Sequence, residues 1–242
     1  MLGENILAGI LLILFLIVLV VLGVLFAKKP GQAGEEETLR IIKNFIKQKG
    51  WTEEDYLLVH NLIFSKENIW SCEIDILLLT RKWIYVIEVK DWGRGRLVGN
   101  LNHEYLEWSY KVQGVRKHRK HKMYSPFYQN ETHVKRFKSY FQLPSNQNIL
   151  SVVYFNSPYL GIDLKESKKT VFENKYLWVK NSRSRNIASL LAYYETKDTQ
   201  LPFFEELKEK VSQETFTPEK VKKHRAWSKS VREGKELERA WG

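Results

Sequence analysis

Ser71-Cys72-Glu73-Ile74-Asp75-Ile76-Leu77-Leu78-Leu79-Thr80 and, after Arg81-Lys82, Trp83-Ile84-Tyr85-Val86-Ile87-Glu88-Val89-Lys90-Asp91 decide the reading of this chain. Both runs are apolar on two faces apart from a few charged positions, the pattern of central strands covered on both sides. A charge buried in such a strand is costly unless it is paired or bound to a cation. Period-two alternation puts Glu88 and Lys90 on one face of their strand and Val89 on the other. Across a tight connection at Arg81-Lys82, Asp75 falls beside Glu88 on the neighbouring strand. Two converging carboxylates repel unless a cation lies between them, and oxygen ligands of this kind suit Mg²⁺ or Mn²⁺. Lys90 then flanks the metal and aligns or polarises an attacking water, a chemistry suited to phosphodiester hydrolysis.

Working outward, residues 35–49 carry Leu39, Ile41, Ile42, Phe45 and Ile46 at amphipathic spacing and stop at Gly50, which predicts a helix. Residues 56–64 read as a strand preceding the two quoted above. Residues 97–109 read as an irregular excursion or a hairpin. Pro126 opens a helix to about Phe141, and residues 148–155 return as a strand. A further strand is expected over 171–180, with helices near 185–195 and 202–212. The order helix, three strands, helix, strand predicts an α/β fold, with no internal repeat.

Gly34-Glu35, the Cys72-to-Asp75 strand, Glu88-Val89-Lys90, Trp108 and Ser125-Pro126-Phe127-Tyr128-Gln129 resemble, in that order, the nuclease-related domain, NERD. This is a branch of the PD-(D/E)xK nuclease superfamily, and the resemblance covers residues 34–155. It implies a restriction-endonuclease-like αβββαβ core with a mixed central sheet flanked by helices. It also implies roles: Glu35 on the first helix, Asp75 and Glu88 as metal ligands, Lys90 as the catalytic lysine, and Gln129 with Pro126 at the helix start. The Val89 backbone carbonyl is expected to help hold the ion. Ser125 stands where the family usually has Asn, and Trp83 stands near a common hairpin Gly. Ser is also a competent helix cap, and a hairpin can use another turn type.

Each position also has an ordinary reading. Asp75 and Glu88 can form a solvated face or a cross-strand ion pair with Lys90. The Glu35-Glu36-Glu37 run suits a helix dipole with no catalytic purpose. Gln129 either positions a phosphate or water, or only cross-links its helix. His133, one turn later on the same face, reads as a packing or surface histidine, and Trp108 as a core aromatic. Cys72 is the only cysteine, which excludes an intrachain disulfide and suits a buried strand position in a reducing compartment.

The 242 residues fit one membrane segment and one α/β domain. Asn5 to Ala27 has no charged side chain, long enough at about 1.5 Å per residue to span a bilayer core of about 30 Å. It lacks the basic n-region and cleavage site of a secretory signal and reads as one transmembrane helix. Lys28 and Lys29 on one side and Glu4 on the other place the N-terminus outside and the domain in the cytoplasm, as a single-pass protein of the cell membrane. The expected partition is thus 5–27 transmembrane helix, 28–34 juxtamembrane linker, 35–215 nuclease-like domain and 216–242 basic tail, solvated or partly helical.

Net charge is +11, which favours polyanions: nucleic acid or the anionic inner leaflet. The densest basic run is 116–122, and no acid occurs between Glu107 and Glu131. Arg116, Lys117, Arg119, Lys120 and Lys122 are therefore the expected phosphate contacts, on a loop approaching the Gln129 helix. Taken together, a membrane-anchored, Mg²⁺- or Mn²⁺-dependent nuclease is expected, acting on DNA in preference to RNA. The alternative is a catalytically weak nucleic-acid-binding or scaffold module tethered to the bilayer through residues 5–27.

Overall fold

The computed structural model describes residues 15–19, 32–66, 69–101, 103–111, 118–144, 147–165, 177–182, 186–214 and 217–232. The chain divides into two units, Met1–Ala33 and Gly34–Gly242. In the first, residues 15–19 are helical with exposed apolar side chains. The rest of the 5–27 run expected to span a membrane lies outside the described residues, as do 28–31 of the linker. Among the described residues no helix is long and apolar enough to cross a membrane.

The second unit begins within α1 (Gln32–Lys49). Gly50 ends that helix at φ +69°, a left-handed conformation that costs glycine little. Next come β1 (Tyr56–Lys66), β2 (Trp70–Thr80) and β3 (Ile84–Lys90), an antiparallel meander. The β2–β3 hairpin turns on Arg81-Lys82 as expected. The Thr80 hydroxyl accepts hydrogen bonds from the Lys82 and Trp83 amides at 3.2 and 3.0 Å, so the turn closes without a glycine.

Three further strands follow before the next helix: β4 (Gly95–Asn100), β5 (Tyr105–Lys111) and β6 (His118–Tyr124). After them come α2 (Pro126–Tyr140), β7 (Ile149–Phe155), β8 (Leu160–Lys165), β9 (Leu177–Lys180), α3 (Ile187–Glu195), α4 (Phe204–Gln213) and α5 (Pro218–Arg232). The central sheet runs β1-β2-β3-β7-β9, with β7 parallel to β3 and β9 parallel to β7. It is therefore mixed, as expected, and helices cover it on both faces. On one face α1 and α3 bury Ile42, Phe45, Leu190 and Leu191 against Ile76, Tyr85 and Val152. On the other, α2 and α4 bury Phe137, Phe141, Phe204 and Leu207 against Leu77, Leu79, Ile84 and Val86.

The excursion after β3 is more than a hairpin. β4 and β5 pair antiparallel, and with β6 and β8 they form a second sheet ordered β6-β5-β4-β8. Leu97, Leu106, Leu160 and Leu164 seal it against Phe127 and Phe155 of α2 and β7. The expected basic loop is thus, over its described part, the strand β6. The expected tail is, over its described part, the helix α5, which packs on β1 and β2.

Candidate functional site

The site forms where β2 and β3 part. Their ladder ends at Ile76↔Ile87, so one further step sets Asp75 opposite Glu88. Beyond that point the Asp75 carboxylate replaces backbone: its Oδ2 accepts the Val89 amide at 2.8 Å.

A change of facing in two strands prepares this. On β2, Cys72 and Ile74 face the α2 side, yet so do Leu77 and Leu79, while Ile76 and Leu78 face α1. Strict alternation forbids that, so the strand flips between Ile74 and Ile76. β1 flips with it: Leu62 and Phe64 share a core with Leu57 and Val59, and between the two pairs lies Asn61 at φ +55°. Pairing continues on either side, His60↔Ile76 and Leu62↔Ile74, so the double kink leaves the register intact and falls at Asp75. Asn is among the few residues that enter the left-handed region at modest cost.

β3 keeps its alternation. Val86 and Glu88 face α2, and Val89, packed with α1, faces the other way. Glu88 is only 1 % exposed. Its Oε1 is ion-paired with Lys90 Nζ, which also donates to Gln129 Oε1 at 3.1 Å. Its Oε2 has no hydrogen-bond partner, and His133 Nδ1, itself buried and unsatisfied, stands 3.4 Å away. Glu35, in the first turn of α1, meets His60 Nε2 at 2.9 Å. Gly34 lets the helix start come so close: a Cβ there would lie 2.5 Å from Asp91 Cβ.

Electrostatics bind these groups together. Burial, then the charge of Glu88, lifts the Asp75 carboxyl well above its ordinary range, against the pull of Lys90 and the Val89 amide. Burial lowers the proton affinity of Lys90, but Glu88, Asp75 and Glu35 more than reverse this and keep its ammonium firmly charged. Burial drives His133 down to about 4, over the opposing pull of Glu88, so it is neutral at pH 7.

Asp75, Glu88, Val89, Lys90, Glu35 and Gln129 are thus brought into one neighbourhood. The basic residues are not all so placed. Arg119, Lys120 and Lys122 lie exposed on β6, at the edge of the second sheet, with Lys120 3.0 Å from Glu107 and Lys122 over the Tyr105 ring. Arg116 and Lys117 lie outside the described residues. Trp108 is a partly buried aromatic of the second sheet's core, stacked on Trp92. Cys72 is buried, and desolvation pushes its thiol far above neutrality, so it is an unreactive strand residue.

The sequence reading missed three partners. His133 was legible by position, one turn after Gln129, but not by environment. His60 and His224 carry no local signal, because only the folding of α1 and α5 onto the sheet brings them to Glu35 and Glu73.

A mixed α/β fold in which two carboxylates and a lysine gather where central strands diverge defines a nuclease-like domain. The chain belongs to the nuclease-related domain family, NERD, whose model matches residues 30–156. No curated protein and no solved structure matches the chain. Membership carries a nuclease-related function.

Proposed function

We propose that this protein is a metal-dependent nuclease that hydrolyses phosphodiester bonds of nucleic acid, DNA in preference to RNA, while anchored in the cell membrane by residues 5–27 with its domain on the cytoplasmic side. The observation that carries the catalytic part is the pair Asp75 and Glu88. One Glu88 oxygen is buried without a hydrogen bond, and the charge of Glu88 disfavours ionisation of Asp75. Two carboxylates in that relation call for a cation beyond Lys90.

The donor set fits Mg²⁺ or Mn²⁺. Among the described residues no cluster of three or more Asp, Glu, His or Cys side chains could hold a metal. Mg²⁺, however, needs only one or two carboxylates, its other positions going to waters and substrate oxygens. Asp75 and Glu88, with the Val89 carbonyl, would hold it, and when bound it would supply Lewis-acid activation of the scissile phosphate and of water. Lys90, fixed between Glu88 and Gln129, aligns the nucleophilic water and offsets the negative charge that develops on the phosphate. Glu35 adds negative charge at the site, and Gln129 holds the lysine and offers its amide to a phosphate oxygen. The αβββαβ order within the fold supports a restriction-endonuclease-like core.

The Glu88–Lys90 ion pair favours a second reading, a weakly catalytic binding module in which these residues serve the fold. Removing either partner of that pair leaves an uncompensated buried charge and costs about 3–5 kcal/mol under both readings, so neither Glu88→Gln nor Lys90→Ala separates them alone. Asp75→Asn does. The amide oxygen still accepts the Val89 N–H while the like charge beside Glu88 disappears. Because the folded state raises the Asp75 pKa, ionised Asp75 weakens the fold as pH rises above the unfolded carboxyl's pKa. The expected result in metal-free buffer at pH 7 is a higher Tm for Asp75→Asn than for wild type, with nuclease activity lost and the Mg²⁺-induced rise in wild-type Tm abolished. Wild-type cleavage by Asp75→Asn would sink the catalytic assignment, and a metal-insensitive wild-type Tm with no cleavage would favour the module.

A further inference from the structure

α5 lies outside the family-matched segment, yet it is fastened beside the site. His224 Nδ1 is 2.8 Å from Ser71 Oγ, and its Nε2 is 3.1 Å from Glu73 Oε2. That hydrogen bond holds the Glu73 carboxyl below its usual range, against burial. Arg136 of α2 stands 5.4 and 5.0 Å from the ring centres of Trp70 and Trp227, on β2 and α5, and ties the helix down a second time. Between α5 and the β1–β2 hairpin these contacts leave a groove of about 730 Å³, walled by Lys66, Trp70, Ser71, Lys220, Lys223 and Trp227.

Indole walls, ammonium groups and a hydroxyl are the chemistry that holds a nucleotide: bases stack on aromatic faces irrespective of sequence, and lysines meet phosphates. The volume suits a ligand of that size. The charge of α5 agrees, with lysine or arginine at 220, 222, 223, 225, 229 and 232 outnumbering the two acids that pair with it, Glu214 at 2.6 Å from Lys220 and Glu219 at 3.0 Å from Lys223. Position agrees as well. Ser71 and Asp75 are four residues apart on β2, about 13 Å, a reach of a few nucleotides along one strand.

We propose that the groove between α5 and the β1–β2 hairpin is a subsite for a single-stranded nucleic acid, taking a nucleotide a few positions from the scissile phosphate. The inference rests on the nuclease reading and names its substrate class: strands whose bases are free to stack. An intact duplex, its bases already stacked, cannot use the tryptophan walls.

The test uses the full chain carrying Asp75→Asn, so that bound strands stay uncut, with fluorescence anisotropy of a labelled oligothymidylate and a labelled duplex across a salt series. Adding Lys66→Gln with Lys223→Gln, both at the groove, should weaken oligothymidylate binding about tenfold and flatten the slope of log K against log salt by about 1.4, the contribution of two single-strand phosphates. Trp227→Leu should cost at least about fivefold with little change in slope, and Trp227→Phe should restore most of that loss, because stacking needs a ring rather than indole itself. Unchanged affinity and slope in the lysine variant, with the parent still binding and wild type still cleaving, would overturn the subsite and leave the nuclease reading standing. A parent that binds neither nucleic acid would overturn both. Loss of binding to phosphatidylserine vesicles alone would assign the lysines to lipid and overturn the subsite.

Discussion

His133 is largely enclosed, its Nδ1 buried 3.4 Å from a carboxylate oxygen, yet it does not take a proton at neutral pH, because burial outweighs Glu88. That balance has a consequence for stability. An unfolded histidine titrates near 6.5, whereas the folded one waits until about 4, so between those values the unfolded chain binds a proton that the folded chain refuses. Stability therefore falls as pH drops from about 6.5 to about 4, and is level with respect to this group above and below that window. The loss is on the order of 3 kcal/mol. Replacing His133 by Leu removes the titrating group. Urea unfolding at pH 7 and pH 4.5 is expected to show a smaller difference between the two pH values in His133→Leu than in wild type. An identical difference in both proteins would show that the imidazole is not held neutral.

At the scale of elements, the kink shared by β1 and β2 does what a regular hairpin cannot. It lets one strand serve the α2 core with Ile74 and the α1 core with Ile76, with Asp75 at the flip between them. Asn61 enables this at φ +55°, so Asn61→Gly should be tolerated within a few tenths of a kcal/mol. Asn61→Val should cost about 1–2 kcal/mol, since a β-branched side chain resists the left-handed region. If the kink sets the carboxylate in place, Asn61→Val should also lose divalent-ion binding while Asn61→Gly keeps it. Equal urea midpoints and equal metal titrations for the two variants would remove the kink from the explanation of the site. The kink also marks the limit of what the sequence discloses. β2, β3 and β7 were legible because apolar runs flanked by turn residues specify buried strands, α1 because its periodicity stops at Gly50, and α2 because Pro126 opens it, although the Ser125 side chain makes no cap hydrogen bond. Alternation alone foresaw Glu88 and Lys90 on one face, but it carries no sign of a flip at residue 75. The second sheet was hidden for a related reason: β6 is polar on both faces because it is an exposed edge, so its strand character comes from pairing with β5. α5 is concealed in the same way. Among its attachments are Ser71, Glu73 and Arg136, side chains that only the folded sheet and α2 bring together.

For the whole molecule, charge and tether make a joint demand. A chain of net charge +11 is drawn both to nucleic acid and to an anionic leaflet, and the proposed anchor would keep the domain within about 25 Å of that leaflet through residues 28–34. The proposed anchor is an uncharged run from Asn5 to Ala27 followed by Lys28 and Lys29, which directs the domain inward. Such a run, once inserted, holds far more firmly than surface attraction, so the two modes separate experimentally. After an alkaline carbonate wash, which strips proteins held by charge, the full chain is expected to stay with the membrane pellet, and a chain lacking residues 1–31 to leave it. Protease added to intact cells should spare a C-terminal epitope tag and digest it once the membrane is opened. Release of the full chain by the wash would assign membrane association to the basic surfaces, and digestion of the tag on intact cells would place the nuclease-like domain on the opposite side, away from cytoplasmic nucleic acid.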